Sequence, residues 1–511
     1  MTDKLLAQQV DVGSPVQDAD DSWIQRLWDW ADQQGVKDLH WVKHKDHLKG
    51  GWWQGLPRDR HKLLTLQKLN LNASQLVTLP AEIGQLTQLQ TLYLSQNNLR
   101  TLPAQIGQLS QLQDLDLSWN KLSSLPAEIG QLTQLRDLNL HSNELSALPA
   151  MIGQLSQLQA LYLGCNKFNV FPVVIVQLSQ LQILSLRGNK LSALPAQIGQ
   201  LSQLQKLYLH RNDLSVLPDE ISQLSQLQVL ELSLNHFTDL PTKLIACLKQ
   251  LRELDLNNNR LIFLSAEIGQ LNQLQEINLR HNDLSDLPVE LGQLSQLQNL
   301  DLGCNKLNVF PLVIFQLRQL KSLNLAGNKL SVLPTEIGQF SQLQSLGLSL
   351  NQLSHLPIEL FKLSQLQSLW LDSNQLSNLP AELGQLHQLQ LLTLNSNHLS
   401  ILPAELGRLS QLQELSVRSN KLNELPPEIG QLTQLQKLDL SSNKLNQLPA
   451  EIGRLCQLRT INIEGNPLVE LPVEISQLKQ LREIGIRRRH FNREQKAQIK
   501  SLLPKCKFTY P

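Results

Sequence analysis

The 511-residue chain carries 45 Lys+Arg against 44 Asp+Glu, a formal net charge of +1, so no global field draws it to nucleic acid or an anionic membrane. No apolar run reaches the eighteen or so residues that span a bilayer; the most apolar stretch is Phe171–Val176. Five cysteines, at 165, 247, 304, 456 and 506, are scattered and odd in number, which argues against disulfide staples and for a reducing, cytoplasmic home.

The first 20 residues have no long apolar stretch and turn acidic, so they read as a disordered tail and not as a cleaved secretion signal. Residues 21–65 read as a helical cap. Ser22 or Asp21 would cap a helix that carries Trp23, Ile24, Leu27 and Trp28 on one stripe. Six of the eight tryptophans fall between Trp23 and Trp53, which suits a lid packed on the segment that follows; a separate recognition module is the alternative. His40, His44 and His47 stand at i, i+4 and i+7, which on a helix would align three ligands. Lys43, Lys45 and Lys49 interleave them and would repel a cation, so no metal site is expected.

From Leu66 the chain repeats itself. The pattern L-x-x-L-x-L-x-x-N-x-L-x-x-L-P-x-E-I-G-Q-L-x-Q recurs every 23 residues to Leu227, takes one 24-residue step to Leu251, and runs on at 23 to Leu481. That gives eighteen full copies over 66–480 and a partial nineteenth in 481–511. In the copy Leu89–Gln111, Leu92 and Leu94 alternate with Tyr93, a period of two that predicts a short strand with one buried face. Leu89, Leu99, Leu102, Ile106 and Leu109 point into the same interior from the turns. One coil cannot cover its own leucines, so successive coils must stack and their strands pair in parallel. The ninth position is Asn in every copy from Asn97 to Asn466, a buried amide expected to bond the backbone of the bend. Pro103 and its equivalents stiffen the turn, and the Gly-interrupted E-I-G-Q-L predicts a 3₁₀ turn on the convex side. The fold class is therefore α/β: a curved, right-handed solenoid with a parallel ribbon on its concave face.

Two irregularities interrupt the array. The motif G-C-N-K-[FL]-N-V-F-P occurs at Gly164 and again at Gly303, a block duplication that puts Cys165 and Cys304 on equivalent sites. The extra residue between Thr242 and Leu248, with Ser265 in place of the usual Pro, predicts a bulge or a change of curvature. At the end, Asn492–Leu503 reads as an amphipathic closing helix. Residues 481–511 carry nine Lys/Arg against two Glu, a basic cap on which Arg487, Arg488 and Arg489 could meet an anionic partner.

Positions three, five, seven and eight of each copy lie between the strand leucines and face the concave side. All five Trp and Tyr residues of the array, Tyr93, Trp119, Tyr162, Tyr208 and Trp370, fall on them, four in one column. Large amphipathic rings on a surface are binding anchors. Asp114, Asp116 and Asp137 surround Trp119, and Glu231, Glu253, Asp255 and Glu276 line the middle, bordered by Lys206, Arg211 and Arg280. Such alternating charge suits a protein surface more than a polyanion.

The segments Leu79–Pro103 and Leu425–Pro449 closely resemble the intracellular Ras-group leucine-rich-repeat class, a resemblance covering some 420 of the 511 residues. The near-identity of the copies, the Q-L-x-Q-L segments and the lead-in Gly50–Asp59 resemble bacterial members. The resemblance implies this fold and leaves the function open. Enzymatic members carry their chemistry in attached kinase, GTPase or ubiquitin-ligase domains, and no P-loop, kinase signature or G-x-S-x-G occurs here. The expected function is a non-catalytic scaffold that binds a protein on the concave face, without cofactor, nucleic acid or membrane span, and as a monomer. Alternatives are an effector exported without a cleaved signal, acting through the N-terminal cap or through Cys165 and Cys304 as thiols, and a structural or adhesive surface protein.

Overall fold

The computed structural model describes residues 21–43, 51–241, 247–486, 493–504 and 506–509. The chain divides into two units, Met1–Asn189 and Lys190–Pro511.

The first unit shows how one coil is made. Strand Thr91–Tyr93 follows the first leucine, and Leu92 and Leu94 on its inner face are fully buried while Thr91 and Tyr93 stay half-buried. The chain then bends sharply, because the eighth position takes a left-handed conformation: φ is +58° at Gln96, +56° at Trp119, +55° at Ser142, +54° at Cys165 and +63° at Gly188. Asn97 closes the bend. Its Nδ2 donates to the carbonyls of Leu71 and Leu94, both at 2.9 Å, and its Oδ1 accepts from Leu76 N at 2.9 Å. Pro103 in extended conformation then starts the 3₁₀ turn Ala104–Gln108. Gly107 in that turn has no room for a side chain, since a Cβ would stand 2.5 Å from the Glu128 carbonyl oxygen of the next coil. Missing bulk there lets successive 3₁₀ turns pack.

Six such strands, from Lys68–Asn70 to Ile183–Ser185, pair in parallel and in register, each residue opposite the one 23 further on. Before them lies the cap. Helix Ser22–Gln33 buries Ile24, Leu27, Trp30 and Ala31, so the inward stripe runs through Trp30 and not through Trp23 and Trp28 as the spacing predicted. Trp28 is half-buried and its indole donates to the Pro57 carbonyl at 3.0 Å. Asp21 holds the N-cap position, but its carboxylate leaves the helix end to pair with Arg60. Arg26 fastens the helix to the first 3₁₀ turn through Glu82 at 2.6 Å, and this guanidinium holds the Glu82 carboxyl below its usual range.

The cap is not wholly helical. His40–Lys43 and Gly51–Gln54 form an antiparallel hairpin, with Trp41 opposite Trp53 and their rings edge-on at 5.5 Å. His40 therefore stands on a strand, which removes the helical alignment expected for the three histidines; His44 and His47 lie outside the described residues.

In the second unit thirteen repeat strands, Lys206–Tyr208 to Glu483–Gly485, pair with one another in parallel and in register. The extra residue leaves the ladder untouched: Val229 pairs with Glu253, 24 residues on, without a bulge, and residues 242–246 fall outside the described residues. Ser265 adopts the φ −72°, ψ 153° of the prolines it replaces. Helix Arg493–Leu502 closes the end with Ile499 buried, and Lys507–Thr509 adds a fourteenth strand beside Glu483–Gly485 that the repeat pattern did not announce. Arg487, Arg488 and Arg489 lie outside the described residues.

Candidate functional site

Alternation along each strand sends positions three and five outward, and register aligns them into rows. In the first unit one row reads Thr91, Asp114, Asp137 and the next Tyr93, Asp116, Asn139, Tyr162. Adjacent members are about 4.8 Å apart, so the three aspartates form one cluster beside Tyr93. The Tyr93 hydroxyl donates to Asp114 Oδ2 at 2.7 Å, and burial, then this carboxylate, raises its pKa. Burial raises the Asp114 carboxyl as well. Asp137 is pushed up to about 6, by burial first and then by Asp114 and Asp116. Among the described residues none of the three forms an ion pair.

Trp119, at the bend after the strand of Asp114 and Asp116, is 58% exposed. Its ring meets His141 edge-on at 5.8 Å. Beyond it, Arg187 Nη2 lies 3.2 Å from His141 Nε2, reaching across Gly164, where a Cβ would stand 2.7 Å from Arg187 Cγ and 2.8 Å from His141 Nδ1. Burial, then the guanidinium, lowers the His141 pKa, so the ring is neutral and accepts from Arg187. Sequence reasoning missed this trio. Its signal was a glycine in the seventh-position column between two long polar side chains, at His141, Gly164 and Arg187.

The second unit has a different surface. Tyr208, Glu231 and Asp255 form one row; Lys206, Val229, Glu253 and Glu276 form the other. His210, absent from the sequence-derived set, places Nδ1 2.8 Å from Glu231 Oε2, an ion-pair distance whose angle falls outside hydrogen-bond geometry. Burial raises Asp255 even though its carboxylate accepts from Asn257 N at 3.0 Å. Arg211 takes the left-handed eighth position and is exposed. Seven strands on, Trp370 is far from Tyr208, about 34 Å at 4.8 Å per strand. It shares instead a hollow of about 350 Å³ with Arg280, Asp301, Asn324, Ser322 and Ser345.

The two duplicated thiols differ in exposure, Cys165 being exposed and Cys304 half-buried. Among the described residues no histidine hydrogen-bonds to either.

The chain matches the family described as leucine-rich repeat region over residues 57–141, 106–184, 123–207, 174–276 and 263–346, and the leucine rich repeat family over 341–399 and 410–468. A leucine-rich-repeat protein of Leptospira interrogans is 37% identical, with 89% of this chain and 100% of that one covered and a TM-score of 0.64. The plant peptide hormone receptor RGFR1, solved with RGF2, is 31% identical over 85% of this chain and 81% of its own, with a TM-score of 0.59. The Arabidopsis receptor kinase HAESA, solved with the peptide hormone IDA and the co-receptor SERK1, is 28% identical over 82% and 78%, with a TM-score of 0.60. No curated protein matches the chain in sequence.

Proposed function

Since the chain belongs to the leucine-rich-repeat proteins, we propose that it is a non-catalytic scaffold that binds a protein partner on the outward face of its parallel strands. The carrying observation is the first-unit aspartate cluster: Asp114, Asp116 and Asp137 form no ion pair among the described residues and share their rows with Tyr93 and Tyr162, with the exposed Trp119 at the bend after the strand of Asp114 and Asp116. Burial and the neighbouring aspartates disfavour the charge on Asp114 and Asp137, and a Lys or Arg from a partner would relieve them while its alkyl stem packs on the rings. The plant receptors, one a peptide hormone receptor and one solved with a peptide hormone and a co-receptor, lend support, and a preformed ladder of strands loses little entropy on binding.

We further assign the repeats to the intracellular Ras-group type, on the strength of the L-P-x-E-I-G-Q-L consensus, and the chain to a reducing compartment, on its five free cysteines. Glu231, Glu253, Asp255, Glu276, Tyr208 and Arg211 would form a second contact area of the same kind.

The test is a double substitution, Trp119→Ala with Tyr162→Ala. Affinity capture with the double variant as control should lose the partner, with binding weakened at least tenfold and the melting temperature unchanged. Equal affinity for the partner in both proteins would end the reading.

A further inference from the structure

We propose that the hollow in the second unit between Trp370 and Arg280 is a binding site for a neutral sugar, one or two pyranose rings in size. Its shape follows from small residues. Gly347 and Trp370 are direct neighbours in the fifth-position row, so the adjacent position contributes no side chain beside the indole. Asn324, the next neighbour, lies over Gly347, where a Cβ would stand 2.6 Å from its Oδ1. Ser322 and Ser345 in the third-position row and Ala326 in the seventh complete a low floor. The volume, about 350 Å³, sits near the lower end of the roughly 300–1,000 Å³ of small-molecule sites.

The lining has two characters. Trp370 offers a flat apolar wall. Apart from Leu323 and Ala326, the other side chains of the lining are polar: the Arg280 guanidinium, the Asp301 carboxylate, the Asn324 amide and two serine hydroxyls. These groups are held in place. Asp301 Oδ1 accepts from Gly303 N at 2.8 Å and Oδ2 from Asn324 Nδ2 at 3.0 Å, while Asn324 Oδ1 accepts from Ala326 N at 3.0 Å. Each Asp301 oxygen keeps a lone pair for a hydroxyl donor, Asn324 keeps one N–H, and Arg280 has donors to spare.

The two full charges are of opposite sign, so the hollow as a whole favours neither anion nor cation. An apolar side chain would fill it but leave the polar wall unpaired, at the cost of unsatisfied groups. A pyranose answers both sides: its C–H face packs on the indole, and its hydroxyls donate to Asp301 and accept from Arg280, Asn324 and the serines.

The experiment uses the full chain on an array of neutral and sialylated glycans, beside Trp370→Ala and Ser345→Leu. Leucine is tolerated in this row, since Leu391 occupies it two strands on, so Ser345→Leu fills the hollow without unfolding the coil. Wild type should retain neutral glycans, both variants should lose at least tenfold, and the Trp119→Ala/Tyr162→Ala protein should bind them as wild type does. No retained glycan, retention confined to sialylated ones, or equal retention by Trp370→Ala or Ser345→Leu would overturn the proposal. Loss of a protein partner in the double variant, without any glycan retention, would sink this site and leave the scaffold reading standing.

Discussion

Ser265 is a residue of the array whose substitution should stabilise the protein. It replaces the proline that begins each 3₁₀ turn, yet its backbone holds the proline φ of −72°, and its hydroxyl is buried without a hydrogen-bond partner. Ser265→Pro removes unfolded-state freedom worth roughly 0.4–1 kcal/mol and an orphaned hydroxyl that costs about as much again. We expect a gain of about 1 kcal/mol, read as a higher urea midpoint at unchanged slope. The proline and asparagine positions were legible because a fixed period exposes any residue type held constant. The left-handed eighth position was not. It is filled by Trp119, Cys165, Arg211, Leu234, Leu350 and several serines, with glycine only at Gly188, Gly327 and Gly465, so composition concealed a conformation that the backbone imposes at every bend.

At the scale of the element, strands of three residues become a surface only through register. Because the repeats of the first unit pair at an offset of 23, reading down a column of the sequence already brought Asp114 to Asp137 and Tyr93 to Asp116. The energetic consequence came from the structure. A carboxyl whose folded pKa is raised, as Asp137 is to about 6, costs nothing below its unfolded value near 3.8. Between the two values the unfolded chain ionises and the folded one resists, so stability falls as pH rises through that window and stays lower above it. Asp137→Asn should therefore leave the melting temperature at pH 3.5 unchanged and raise it at pH 7.5. A variant equally displaced at both pH values would show that packing, not charge, governs the position. The cap elements were less legible. Trp41 and Lys43 point out while His40 and Val42 are half-buried, an alternation of period two, but the histidine spacing suggested a helix more strongly than four residues could suggest a strand. The closing strand Lys507–Thr509 carries no repeat signature and is a strand only because Glu483–Gly485 offers an open edge.

Across the whole molecule, the repeats are tied by bonds of short reach. Each ladder asparagine touches its own coil and the one before, with separations of 2, 3, 21 or 26 residues in regular coils. Asn282 is representative: Nδ2 donates to Leu256 O at 2.9 Å and Leu279 O at 3.0 Å, and Oδ1 accepts from Leu261 N at 3.0 Å. Asn282→Ala orphans buried groups on two coils, at a cost of about 2–4 kcal/mol. In a compact globular domain that loss would be shared by every amide that exchanges through global unfolding. In a stack where each coil contacts only its neighbours, stability is a sum of local terms and the damage stays local. Hydrogen exchange followed by mass spectrometry should show faster exchange in strands 253–255, 276–278 and 299–301, and unchanged rates in 414–416 and 437–439 of the same unit. Uniform acceleration through all five strands would mean that this unit unfolds as one body, and that its rows of side chains cannot be altered one coil at a time.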